Sequence, residues 1–189
     1  MALPQHRIHI FGASGSGTSS LGRALADKLS IAFFDSDDYY WEKTEIPFTL
    51  KVEPEVRVQR LLADMNTVES WVLSGSIVSW SAAFIPLFTA AVFVTLEPDI
   101  RLGRLRVRER ERHGSRIDKG GDMYEIHEAF ISWAALYDTT ANLKIRSLAM
   151  HEAWIHKLSC PCIRVESTQP VDILVDNVVR RLANVTNSQ

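Results

Sequence analysis

Three groups of residues in this sequence have types and spacings suited to chemistry on phosphate. The first is Gly12-Ala13-Ser14-Gly15-Ser16-Gly17-Thr18-Ser19-Ser20. Its glycines let the backbone curl so that several N–H groups point inward, and a helix starting at its end adds the positive end of its dipole. A polyphosphate fits such a cup. The spacing follows the Walker A pattern G-x-x-x-x-G-K-[ST], in which the hydroxyl after the lysine binds Mg²⁺. That hydroxyl is Ser19, while Thr18 stands at the lysine position. A neutral hydrogen bond is roughly half as strong as a charge-assisted one, so tight ATP binding needs an arginine from elsewhere. Two weaker readings stay open: a plain glycine-rich turn, and half of a dinucleotide fingerprint across residues 15–20.

The second group is the acid run Asp35-Ser36-Asp37-Asp38. A carboxylate can orient a hydroxyl and accept its proton. Capping of a following helix is the alternative. The third is a set of seven arginines between Arg101 and Arg116. Arg104, Arg108 and Arg112 are four apart and share one helix face. Guanidinium is flat, permanently charged and suited to phosphate oxygens. The run reads either as an anion-binding lid or as a solvated face.

Regular elements must hold these groups together. Short apolar runs at His6–Phe11, Ile31–Phe34, Trp71–Leu73, Ala91–Leu96 and Pro161–Val165 read as strands. Helical periods cover Thr18–Leu29, Glu55–Glu69, the arginine run from Pro98 to about His113, Met123–Tyr137, Asn142–Leu158 and Pro170–Leu182. Gly114–Asp122, with three glycines, reads as a mobile loop. Alternating strands and helices predict an α/β three-layer sandwich around a five-stranded parallel sheet. In such sheets ligands bind at the carboxyl ends of the strands, where glycines and acids end the first three strands here.

The chain has 189 residues, 46% hydrophobic, which suits one domain over residues 1–189. With 21 basic and 23 acidic residues, no global charge draws it to nucleic acid or membrane. Its longest apolar runs fall well short of the roughly 20 residues that span a bilayer. Residues Met1–Arg7 lack a secretory apolar region. A soluble cytoplasmic protein, monomer or homodimer, is expected. Cys160-Pro161-Cys162 is too close for an ordinary staple and reads as two reduced thiols.

The loop, the acid run, the arginine run and the turn Val165–Pro170-Val171 occur in the order that they have in the nucleoside-monophosphate-kinase-like branch of the P-loop kinases, which includes adenylate, shikimate and gluconate kinases. The sequence resembles that branch over most of its length. The resemblance implies a P-loop NTPase fold with a small helical lid at about 104–127. It also implies ATP and Mg²⁺ as cofactors and phosphoryl transfer to a small acceptor: a nucleoside monophosphate, a sugar acid or a polyol. Carried over, Gly12, Ser14, Gly15, Ser16, Gly17, Thr18, Ser19 and Ser20 hold the nucleotide, and Arg104 packs on its base. Ser19 and Asp35 hold the metal. Asp37 orients the acceptor, and Arg108 and Arg112 stabilise transfer, with Arg116 a third source of the missing charge. The adenylate-kinase run D-G-F-P-R after the third strand is Ser74-Gly75-Ser76-Ile77-Val78 here, which argues against a monophosphate acceptor. Gly75 and Arg57 are then the acceptor-side candidates, with Arg57 and Arg60 equally readable as surface residues.

His151 and His156 are five apart and diverge by about 140° around a helix, so they are set aside as surface or packing residues. His127, Trp133, Tyr39, Tyr40 and Trp41 serve equally as pocket walls or packing. A non-catalytic nucleotide-binding module and a plain NTP hydrolase are the competing functions, and Thr18 is the main support for the first.

Overall fold

The computed structural model describes residues 5–80, 82–143 and 145–186; the first residues read above for a leader lie largely outside that range. β1 (Arg7–Gly12) runs into the glycine loop, and α1 (Thr18–Leu29) leaves it. There follow β2 (Ala32–Asp35), the single turn α2 (Asp37–Tyr40), α3 (Pro54–Met65), β3 (Trp71–Ser74), β4 (Ala90–Thr95) and α4 (Pro98–His113). The chain continues with α5 (Tyr124–Ala135), α6 (Leu148–Ile155), β5 (Cys162–Glu166) and α7 (Val171–Thr186). The strands form one parallel sheet in the order β2-β3-β1-β4-β5. β1 lies at the centre, and the chain leaves it toward β2 but leaves β3 toward β4. The carboxyl end of β1 is therefore the switch point of the sheet, where ligands bind in this architecture.

Alternation along β1 builds two cores. Ile8 and Ile10 face α1 and α7, with Val72, Val92, Ile163, Leu25 and Val178. Phe11 faces the other way, toward Leu61 and Met65 of α3, Phe84, Phe93 and Trp154 of α6. A sheet buried on both faces needs near-continuous apolar strands, and β4, Ala-Ala-Val-Phe-Val-Thr, is one. α3 and α4 both start with proline at the first helical position, where its missing N–H costs nothing. A third, small core of Leu105, Ile131 and Ala134 joins α4 to α5, so the lid helices have packing of their own.

Three expectations shift. The helix expected over Glu55–Glu69 stops at Met65, where Thr67 Oγ1 donates to the Asp64 carbonyl at 2.7 Å and closes the turn. The stretch Asn142–Leu158 yields only the eight residues of α6. Ser147 caps it, accepting the Met150 N–H at 3.1 Å, and Lys144 lies outside the described residues. The segment Gly114–Asp122, expected as a mobile loop, is a structured turn. Gly114–Ile117 form a 3-10 turn with Ile117 buried. Arg116 donates to Asp122 at 2.7 Å, and Arg110 donates to the Gly114 carbonyl at 2.9 Å.

Candidate active site

The glycine loop has the form of an anion cup. Gly17 is the cap residue of α1, at φ 93°, and no side chain caps this helix start. Its first amides are thus left for a ligand. A side chain at Gly17 would take up a left-handed backbone that only glycine adopts cheaply, 3.1 Å from Ser167 Oγ. Ser16 Oγ is fully buried without a hydrogen-bond partner, an orphan that a phosphate oxygen would satisfy. Thr18 is half-buried, and Ser19 and Ser20 are exposed.

The acid run lies at the carboxyl end of β2, beside the turn after β3. Ser36 N–H donates to the Ser74 carbonyl at 2.8 Å, and Gly75 N–H donates to the Ile10 carbonyl at 2.9 Å. Gly75 must be glycine: its φ is 97°, and a Cβ there would come within 2.0 Å of Ser36 Oγ. One oxygen of Asp35 accepts the Asp37 N–H at 3.1 Å. Asp37 is open to solvent, yet its carboxyl is raised from the ordinary value, first by desolvation and then by the Asp35 charge. Arg146 and Arg108 oppose the rise, so both cations reach this carboxyl.

Around Asp37 stand residues from distant segments. Arg57 of α3 is buried, its guanidinium 4.5 Å from the Tyr40 ring centre and 5.0 Å from that of Trp80, with Nε unpartnered. Arg146 lies over Trp133 at 5.3 Å. Burial draws its pKa down, and the nearby Asp37, Tyr40 and Tyr137 raise it. Tyr40 and Trp41 belong to this wall, whereas Tyr39 donates away to Asp64 at 2.7 Å. Arg60 is a surface residue paired with Glu42 at 3.5 Å. His127 is largely buried beside Glu128.

The arginines of α4 divide. Arg104 donates to Ser167 Oγ at 3.2 Å and to its carbonyl at 3.0 Å, on the side of the loop that faces the β5–α7 turn. Arg108 donates to its neighbour Glu109 at 2.8 Å, on the side facing Asp37. Arg112 is exposed another turn out, and Arg116 is engaged by Asp122. The shared face thus reaches two different regions. Arg101, counted in the run but not singled out, is fully buried and donates to the Ser14 carbonyl at 3.1 Å and to Asp138 at 2.6 Å.

His151, expected as a surface or packing residue, meets Phe11 and Phe93 of the core edge-on. Both its nitrogens are also engaged, with Ser76 Oγ at 2.9 Å and Tyr137 OH at 2.7 Å. Burial lowers its pKa to about 3. His156 is exposed. Arg146 was not singled out because it lies within Asn142–Leu158, which reads as one helical stretch, whereas α6 begins only at Leu148; Ser147, a helix-cap residue next to it, was the available signal.

Among the described residues no group of three or more His, Cys, Asp or Glu is placed to hold a metal ion. Magnesium does not require one, since it is usually held by one or two protein ligands, phosphates and water. Ser19 and Asp35 fit that donor set. Among the described residues no helix is long and apolar enough to cross a membrane.

No family model matches the chain. It is 42% identical over 177 residues, 94% of this chain and 97% of the relative, to the uncharacterized protein YqaC of Bacillus subtilis. It is 26% identical over 152 residues, 75% of this chain and 87% of the relative, to a shikimate kinase of Buchnera aphidicola. The crystal structure of shikimate kinase from Bacteroides thetaiotaomicron superposes with a TM-score of 0.55 at 20% identity, covering 94% of this chain and 98% of that one. The chain belongs to one family with YqaC, and its fold, with the loop that opens α1, is that of the P-loop NTPases of the nucleoside-monophosphate-kinase-like branch, as in shikimate kinase.

Proposed function

We propose that this protein is an ATP- and Mg²⁺-dependent kinase that phosphorylates a hydroxyl group on a small anionic acceptor, of which a sugar acid or other hydroxylated carboxylate is the best fit. The observation that carries this reading is the carboxyl of Asp37, which follows β2 at the carboxyl edge of the sheet and feels the charges of Arg146 and Arg108. Two relatives, the Buchnera shikimate kinase and a probable gluconokinase of Rattus norvegicus matched over 37 residues, are named for acceptors of that class.

In this reading the amides of Gly15–Ser20 and the Ser16 hydroxyl bind the polyphosphate tail. Arg104 and the Ser167 turn flank the base. Mg²⁺, held by Ser19, Asp35 and phosphate oxygens, supplies charge neutralisation during transfer. Asp37 accepts the proton of the acceptor hydroxyl, a role that its raised pKa favours. Arg57 and Arg146 converge on Tyr40 and bind the acceptor's anionic group. That pair also suits a carboxylate better than a neutral polyol, since two unneutralised guanidiniums beside a neutral ligand would remain desolvated without return. Arg108 swings from Glu109 to the transferring phosphoryl group, with Arg112 a turn further out.

The test is a coupled assay of ADP release with ATP-Mg over a panel of hydroxylated carboxylates, neutral polyols and nucleoside monophosphates. Acceptor-dependent release with a carboxylate is the expected outcome. Release that no acceptor alters makes the protein an NTP hydrolase. Failure of ATP-Mg to bind at millimolar concentration removes the kinase reading altogether.

A further inference from the structure

Beneath both halves of the site runs a line of polar side chains that the transfer chemistry does not use. It starts at Ser76, next to Gly75 in the turn that backs onto the acid run. Ser76 Oγ lies 2.9 Å from His151 Nε2, and His151 Nδ1 lies 2.7 Å from Tyr137 OH. The Arg101 guanidinium covers the Tyr137 ring at 5.3 Å. Arg101 then donates to the Ser14 carbonyl of the phosphate loop at 3.1 Å, and also to the Ala134 carbonyl at 3.1 Å and to Asp138 at 2.6 Å. From the other side His9 Nε2 meets the Gly75 carbonyl at 2.9 Å. Ser76, Arg101 and His151 are buried polar residues, and Tyr137 is buried with them.

Packing alone does not explain this choice of residues. Phenylalanine, leucine and methionine would fill the same volume without desolvating an imidazole, two hydroxyls and a guanidinium. What the polar chain adds is direction. Burial keeps His151 neutral, with one N–H and one lone pair. Its two hydroxyl partners must therefore differ, one donating to the ring and one accepting from it. Only two arrangements satisfy the ring: Tyr137 donates to Nδ1 while Nε2–H donates to Ser76, or the reverse. Such a chain is discrete rather than continuously deformable, and buried hydrogen bonds of this kind rigidify what they join.

We propose that the buried chain Ser76–His151–Tyr137–Arg101 is a positioning device that couples the phosphate loop to the acceptor turn, so that a nucleotide in the loop orders Gly75-Ser76 some distance away. The proposal rests on the loop's being a nucleotide site, and no member of the chain is a catalytic residue. Both ends fall on ligand-bearing backbone: the Ser14 carbonyl shares the loop with the amides that bind phosphate, and Ser76 follows the glycine that abuts Ser36. A nucleotide that fixes the loop fixes Ser14, holds Arg101 and Tyr137 in one arrangement, and settles the His151 tautomer that Ser76 meets.

Amide hydrogen exchange of the full chain tests this, with and without a non-hydrolysable ATP analogue and Mg²⁺, read over residues 71–80. In the wild type the analogue should slow exchange in the Gly75 turn by about fivefold or more, the lower end of ordinary site–site coupling. Tyr137→Phe removes only the hydroxyl, and should abolish that remote slowing while analogue affinity stays within about threefold and protection of the loop itself remains. A purely structural role would lower the unfolding temperature and leave the remote slowing intact, and that result overturns the proposal. So does wild-type binding of the analogue without any change at residues 71–80. Absence of analogue binding to the wild type overturns the proposal and the kinase reading together, which separates that failure from the other two. If Tyr137→Phe does not fold, Ser76→Ala breaks the chain at its opposite end and is read by the same outcomes.

Discussion

On the proposed kinase reading, the nucleotide side and the acceptor side of this site are built on opposite principles. The nucleotide cup is one contiguous stretch, Gly12–Ser20, whose working parts are main-chain amides and whose geometry is set by glycine backbone angles. The acceptor side draws Asp37 from the end of β2, Arg57 from α3, Gly75 from the end of β3 and Arg146 from the segment before α6. Its working parts are side chains, and the tertiary fold alone assembles them. A backbone cup tolerates side-chain change but not a change of backbone conformation. A side-chain pocket has the reverse sensitivity.

The largest effect expected from this contrast lies on the side-chain half. Asp37→Asn keeps the shape and removes the proton acceptor, so turnover should fall by about 10²–10⁴, with ATP-Mg affinity within about threefold by titration calorimetry. A loss of ATP affinity of the same size would erase the division between the halves. Next comes the backbone half. Gly17→Val forces a branched residue into the left-handed region beside Ser167 Oγ, a strain of the order of 1–3 kcal/mol before the clash is counted. ATP-Mg affinity should fall about 100-fold or more as strain and clash combine, while far-UV circular dichroism stays unchanged.

The two halves were also unequally legible. The loop, β1 and α1 follow from residues adjacent in sequence, and α1 has the bounds that its apolar period implies. β1 to β5 and their parallel direction required only apolar runs alternating with helical periods, whereas the order β2-β3-β1-β4-β5 comes from the structure. The acceptor wall is legible only residue by residue: Asp37, Gly75 and Arg57 stand in the sequence as candidates, with nothing local that joins them. Arg57 reads as a surface arginine until α3 is turned so that Leu61 and Met65 pack on the sheet. Arg146 falls within Asn142–Leu158, a stretch that reads as one helix, whereas α6 begins only at Leu148. Arg101 was hidden by its company, one arginine among seven, although it alone of that run is fully buried. Five-residue spacing argues His151 and His156 out of a shared metal site, but spacing within a helix says nothing about Ser76 and Tyr137 arriving from other segments. The turn after α4 looked mobile from its glycines; its ion pairs join Arg110 to Asp118 and Arg116 to Asp122, across turns that a linear reading does not close.

Arg146→Gln sharpens the contrast at intermediate size. Losing a charged partner of the acceptor should raise acceptor KM by about 10–100-fold, as for one charge-assisted hydrogen bond, with kcat less affected. It also has a readout that needs no acceptor. Arg146 holds the Asp37 pKa down against desolvation and Asp35. Removing the cation must therefore move the Asp37 titration to higher pH, and the acid limb of activity with it. Carboxyl ¹³C shifts of Asp37 across a pH series measure this. A shift to lower pH, or none, takes Arg146 out of the acceptor wall.

The smallest effect concerns Thr18, where the two halves meet. Lysine there normally brings a charge to the outer phosphates; here the loop is neutral and the nearby cations belong to α4 and to the acceptor side. If Arg108 supplies the missing charge, the loop has given up one of its functions to a side chain from elsewhere. Thr18→Lys then adds a redundant charge, and ATP-Mg affinity should change by less than about tenfold, a little over 1 kcal/mol. Arg108→Ala in the wild type should cut turnover on the order of a thousandfold, as loss of an arginine finger does, and the double variant Thr18→Lys/Arg108→Ala should recover a large part of that. Non-additivity is the expected sign of two residues serving one purpose. Additive effects, with Thr18→Lys improving binding by itself, would mean that the loop charge was never replaced and that affinity for the nucleotide rests on the amides of Gly15–Ser20 alone.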